Sequence, residues 1–207
     1  MKIVIDAGHG GKDSGALGHN IQEKDVVLNI AHHLGIMLKK RGINVLMTRR
    51  SDVYLSLGER CRIANEVEAD LFVSVHSNSY NKYATGIETY CFDKSTTAGD
   101  IANHVQDSMM KMFPDHLDRG VKEAAFYVLK NTDMPAILVE CEFIDSMSEF
   151  LSKDGTQHKF AMAIADGIAA KYGMNHVEDD ANNKEDVVEE KESILDKILK
   201  LLTKLFK

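Results

Sequence analysis

A chain of 207 residues with a formal charge of -7 has no basic excess for neutralising phosphates, which argues against a dedicated nucleic-acid binder. Apolar residues make up 44% and charged residues 28%, an ordinary soluble composition that excludes a fibrous repeat or a chain disordered throughout. No apolar run approaches the roughly 18 residues of a membrane span, and the start of the chain lacks the three regions of a secretory signal, so synthesis without a signal peptide is expected. Cys61, Cys91 and Cys141 form no CxxC pair and read as small buried apolar residues of a reducing compartment.

In chain order, residues 2–6 form a continuous apolar run of strand length, followed by a loop with glycines at 8, 10, 11, 15 and 18. Residues 23–40 carry apolar side chains at helical spacing, and a second short apolar run covers 44–47. The alternation continues with a helix over 57–68, strands over 71–75 and 88–92, a helix over 98–112, a strand over 136–139 and a helix over 155–172. Continuous Val, Ile and Leu runs are what strands buried on both faces require. The pattern predicts an α/β fold with a mostly parallel central sheet flanked by helices.

The composition breaks near residue 174. Residues 175–192 hold eight acids against two lysines, the character of a solvated linker. Residues 193–207, SILDKILKLLTKLFK, place leucines, isoleucines and Phe206 on one helical face and four lysines on the other. The expected organisation is a catalytic body over 1–174, an acidic linker over 175–192 and an amphipathic helix over 193–207. That helix suits a membrane surface, self-association or packing on the body.

Ligands of open α/β sheets bind beyond the carboxyl ends of the strands. His9, His76 and Glu140 each follow a predicted strand and would meet at that edge, suggesting a metal site or acid/base machinery. A hydrolytic zinc site needs three protein ligands. Glu23, at the start of the first helix, is the best third candidate, with Asp25 the nearest competitor. The glycine loop is not a phosphate cradle, because Asp13 stands where a P-loop needs Ser or Thr and where GxGxxG needs its third glycine. Position and residue type leave three readings open: a zinc centre, hydrogen-bonded histidines, or acid/base chemistry without metal. The remaining histidines, 19, 32, 33, 104, 116, 158 and 176, read as ordinary structural or surface residues.

The stretch from Ile5 to Ala16, IDAGHGGKDSGA, with Gln22-Glu23-Lys24 after it, resembles the opening of zinc-dependent N-acetylmuramoyl-L-alanine amidases of bacteria and their phages. The likeness continues in order through Thr48-Arg49 with Asp52, Leu57 through Arg60 to Ala64-Asn65, Asp70 with Ser74-Val75-His76-Ser77-Asn78, and Val128-Leu129. It ends in Met134-Pro135-Ala136 through Val139-Glu140 and Phe143-Ile144, so that it spans residues 2–172. Ala7 stands where proline is common, and Asp145-Ser146 replaces a small residue followed by asparagine.

The resemblance implies that His9, Glu23 and His76 hold Zn2+ and that Glu140 is the catalytic carboxylate. It implies as substrate the peptidoglycan amide joining the lactyl group of N-acetylmuramic acid to L-alanine. Asn78 is a candidate for orienting a ligand or substrate, whereas Arg49 and Arg60 read first as structural ion-pair or cap partners. Without a signal, such an enzyme would reach the wall after holin-type release or cell lysis. A zinc peptidase or carboxypeptidase acting on wall peptides, and a wall-binding module without activity, are the alternatives.

Overall fold

The computed structural model describes residues 1–174; the predicted acidic linker and amphipathic helix lie outside the described residues. Among the described residues six strands form one sheet: β1 (Lys2–Ala7), β2 (Asn44–Met47), β3 (Leu71–Asn78), β4 (Ile87–Cys91), β5 (Asp118–Glu123) and β6 (Ala136–Phe143). Their order across the sheet is β2-β1-β3-β6-β4-β5. All neighbours run parallel except β4 and β6, which are antiparallel. This is the mostly parallel α/β sheet that the apolar runs predict. Residues 118–123 were not among the expected strands, because their charged sequence DRGVKE lies half-buried to exposed at the sheet's edge and carries no apolar run.

The helices among the described residues are α1 (Glu23–Lys40), α2 (Leu57–Glu66), α3 (Thr97–Met112), α4 (Tyr127–Lys130), α5 (Ser148–Leu151) and α6 (Asp154–Lys171). Among them, α4 and α5 are single turns, too short to show a helical period in the sequence. The two faces of the sheet are covered unequally. Ile3, Ile5, Leu71, Val73, Ile137 and Val139 point into a large core shared with α1, α3 and α6. The alternate residues Val4, Phe72, Ala136 and Leu138 meet a smaller cluster with Cys61 and Ala64 of α2 and Val128 and Leu129 of α4. Period-two alternation of strand side chains makes this division. Because the second face has so little helix over it, the upper ends of its strands stay open to a cleft. The three cysteines are buried and free, as read from the sequence.

Two strands run further than their apolar runs. β3 continues to Asn78 and β6 to Phe143, so His76 and Glu140 lie inside strands and not just past them. They pair directly in register, and a bulge follows before Asn78 meets Phe143. Glu142, within that bulge, takes a left-handed backbone (φ 68). Backbone pairing with a neighbour carries these polar residues, which an apolar pattern cannot report.

Candidate active site

On the open face, β1, β3 and β6 change from apolar to polar toward their carboxyl ends. Asp6, Ser74, His76 and Glu140 follow Val4, Phe72 and Leu138 on the same side of the pleat. A cavity of about 400 Å³ opens there, lined by Asp6, His76 and Glu140 together with His9, Glu23, Tyr54 and Tyr127.

The His9 loop arises from β1 and is folded back by backbone contacts. Gly10 and Asp13 exchange hydrogen bonds, and the N–H groups of Glu23 and Lys24 at the start of α1 donate to the carbonyls of Ala16 and Ser14. The loop therefore caps the helix whose first residue is Glu23, which sets that carboxylate beside His9. His9 itself has φ 59, a left-handed conformation uncommon for a residue with a side chain. Two glycines make room for these side chains. A Cβ on Gly8 would lie 2.3 Å from the His76 ring, and one on Gly15 would lie 2.6 Å from both Glu23 Oε2 and His9 Cδ2.

His9, Glu23 and His76 offer ligand atoms that all lie within 4.8 Å of one another, the one group of this kind among the described residues. Glu23 Oε1 is 3.1 Å from His9 Nε2 and 2.9 Å from His76 Nδ1. It also accepts the Ser77 N–H, while Oε2 accepts the Ala16 N–H. Asp13 Oδ2 lies 3.0 Å from His9 Nδ1, so the far side of that ring is engaged and Nε2 faces the cluster. Metal-bound histidines are oriented by carboxylates in this way. Asp25, the competing third ligand, is exposed, whereas Glu23 is 3% exposed.

The charges agree with the geometry. Burial opposes ionisation of Glu23, but hydrogen bonds from His76 and His9 outweigh it and hold the carboxyl far below the usual range. Burial would depress His9, yet the carboxylates of Glu23 and Asp13 raise it above an ordinary histidine. Glu140 goes the other way: burial, reinforced by the charges of Glu23 and Glu88, lifts it well above the usual carboxylate range. Its Oε2 is buried without a hydrogen-bond partner. A buried polar atom without a partner is uncommon in a folded protein and calls for a ligand or a chemical role.

Arg60 makes the ion pair first expected of it, whereas Arg49 is held by backbone carbonyls instead of a carboxylate. Arg60 pairs with buried Asp6 at 2.7 Å and donates to the carbonyls of Ala7, His9 and Leu55. Arg49 donates to the carbonyls of Ala7, Gly8 and Lys24. Together they fasten the loop that carries His9. Asn78 lines the cleft, but its Nδ2 donates to Glu88 and its Oδ1 accepts from Ser79 N–H. Both ends of its amide are thus engaged within the protein. The parts that sequence reasoning missed are Asp13, Asp6 and Glu88. For Asp13 a signal existed, four residues from His9 inside the glycine loop.

Fold and side chains define an α/β domain with a candidate metal centre at the open end of its sheet. The sequence model of the N-acetylmuramoyl-L-alanine amidase family, Amidase_3, matches residues 3–170, and the chain belongs to that family. It is 43% identical over 175 residues to the endolysin of Bacillus phage SPP1, an alignment covering 81% of this chain and 64% of the endolysin. To the N-acetylmuramoyl-L-alanine amidase LytC of Bacillus subtilis strain 168 it is 39% identical over 176 residues, covering 82% of this chain and 35% of LytC. The solved N-acetylmuramoyl-L-alanine amidase AmiC2 of Nostoc punctiforme superposes with a TM-score of 0.80 at 35% identity, covering 84% of this chain and 97% of that one.

Proposed function

We propose that this chain hydrolyses the amide between the lactyl group of N-acetylmuramic acid and L-alanine in peptidoglycan, with zinc held by His9, Glu23 and His76. The observation that carries the reading is the convergence of two imidazoles and one buried carboxylate beside a glutamate whose Oε2 has no partner. Imidazole nitrogens and a carboxylate oxygen are a donor set zinc accepts, and three protein ligands leave a position open. Gly8 and Gly15 leave room for the His76, His9 and Glu23 side chains to close on one another.

When bound, zinc supplies Lewis-acid polarisation of the scissile carbonyl and makes a water more acidic. Glu140 performs the proton work. Its carboxylate takes a proton from the attacking water at Oε2 and returns it to the nitrogen of L-alanine as the C–N bond breaks. A raised pKa suits a group that must both accept and release a proton near neutral pH. Asp13 holds the His9 ring, and Arg49 and Arg60 hold the loop beneath it.

The family and the relatives named support a site of action at the cell wall, reached in lysis or autolysis. Residues 1–174 would form the catalytic body, 175–192 an acidic linker and 193–207 an amphipathic segment for a membrane surface or for self-association; weaker co-sedimentation with anionic liposomes on deleting 193–207 would favour the membrane surface, and unchanged sedimentation would exclude it.

The deciding experiment measures metal content and digestion of purified sacculi, with fragments weighed by mass spectrometry. New L-alanine amino termini that vanish with chelator and return with zinc are expected. Cleavage within the stem peptide would mean a peptidase instead, and binding without release a wall-binding module.

A further inference from the structure

The geometry points to Glu88 as a positioning residue that keeps two cationic side chains away from Glu140. Glu88 lies on β4 directly opposite Glu140 on β6. Antiparallel partners point their side chains to the same face, so two carboxylates stand side by side, Glu140 lining the cleft and Glu88 buried next to it. Their surroundings differ completely. Glu88 is 1% exposed and gathers four donors. Its Oε1 accepts Asn78 Nδ2 at 2.7 Å and the Tyr90 hydroxyl at 2.7 Å, and its Oε2 accepts Arg119 Nε at 2.6 Å and Lys122 Nζ. An ionised carboxylate has about four acceptor sites, so Glu88 is saturated. Glu140 Oε2 has no donor at all.

Both cations come from β5, on the far side of β4 from β6. Their side chains remain 32% and 36% exposed. Arg119 already reaches across to β6, its guanidinium 5.0 Å from the ring of Phe143. A cation with that reach would be drawn to the unpaired carboxylate of Glu140 if nothing nearer held it, and an ion-paired Glu140 is a weaker base toward water. Glu88, placed between, captures both charges. Asn78 and Tyr90 close its other oxygen, and the Tyr90 ring backs Phe126 of the cleft wall at 5.0 Å between centroids.

This inference rests on Glu140 as the proton carrier, and its test separates the two. The zinc-loaded full chain, Glu140→Gln, Glu88→Gln and the triple variant Glu88→Gln/Arg119→Met/Lys122→Met are assayed on a soluble muramoyl tripeptide, with metal content and melting temperature measured for each. Glutamine preserves an acceptor for Asn78 and Tyr90 while releasing the cations. Glu88→Gln should keep its metal and a KM within about threefold while kcat falls by about 30-fold. The triple variant should run at least fivefold faster than the single one, because the freed cations are gone. A merely structural Glu88 would make the triple variant no faster, since it deletes further native contacts.

A Glu88→Gln kcat within twofold of wild type, or a triple variant no faster than the single, overturns the inference. Should the single variant not fold, the triple variant decides: at full metal content it is expected to retain at least a tenth of the wild-type kcat, and less overturns the inference. An inactive wild type or an active Glu140→Gln would instead sink the reading of the site, whereas an active wild type, an inactive Glu140→Gln and an unimpaired Glu88→Gln would sink this proposal alone.

Discussion

Replacing Arg60 by methionine tests the claim that the His9 loop hangs on a buried ion pair. Arg60 is 2% and Asp6 1% exposed, and the guanidinium lies 2.7 Å from the carboxylate. Methionine fills part of the volume but leaves Asp6 with hydrogen bonds only from the hydroxyls of Thr48 and Ser74, and with Arg49 as the remaining nearby cation. Removing one member of a buried pair costs about 3–5 kcal/mol, because the remaining charge stays desolvated. Three carbonyls, of Ala7, His9 and Leu55, lose a donor as well, though those near the cleft can turn to water. Against a total stability of about 5–15 kcal/mol this is a large fraction, and the melting temperature should fall by about 6–20 °C for a domain of this size. Denaturant unfolding of the metal-free protein measures the loss. Pairing Arg60→Met with Asp6→Asn should recover part of it, since the uncompensated charge is then gone. A loss below about 1 kcal/mol, or equal losses that simply add, would show that the pair does not hold the loop.

Gly8→Ala should abolish metal uptake in equilibrium dialysis while circular dichroism stays that of the wild type, because the new methyl group lands 2.3 Å from the His76 ring; stoichiometric uptake would contradict the packing described. Glu140→Gln should bind metal as the wild type does and lose at least 100-fold in turnover, and retention of most of the rate would remove Glu140 from the proton pathway. Asp13→Ala should weaken metal affinity by about 10–100-fold, read by competition with a chelator, because His9 Nδ1 loses the carboxylate that orients it. Burial raises Glu88, but its bonds from Lys122, Arg119 and Tyr90 prevail and lower its pKa below the ordinary 4.5. Its ionised form therefore stabilises the fold above that pH, and the contribution disappears as pH falls through the lower folded-state value. The gap in melting temperature between wild type and Glu88→Gln should accordingly shrink below about pH 4.5, and a gap that stays constant into acid would contradict this assignment.

Most of the architecture was legible because it rests on local pattern. The apolar runs of β1, β2, β3 and β6 and the helical periods of α1, α2, α3 and α6 record which surfaces must leave water. β5 was not legible, since its edge position demands neither apolar content nor alternation, and the turns α4 and α5 are shorter than any period. The extension of β3 through His76 to Asn78 and of β6 through Glu140 to Phe143 was hidden for a related reason: neighbouring strands, not their own composition, keep those polar residues in the sheet.

Residue type and order carried the candidate site as far as naming His9, Glu23, His76 and Glu140, largely through the resemblance to an amidase family. Only the folded chain decided that Glu23, and not Asp25, turns inward, because loop carbonyls capping α1 set the direction of its first residue. Only tertiary structure could separate Glu88 from Glu140, two glutamates that composition treats alike. One is met by four donors from three strands and the other by none, and that difference in desolvation and pairing exists only once β3, β4, β5 and β6 lie side by side.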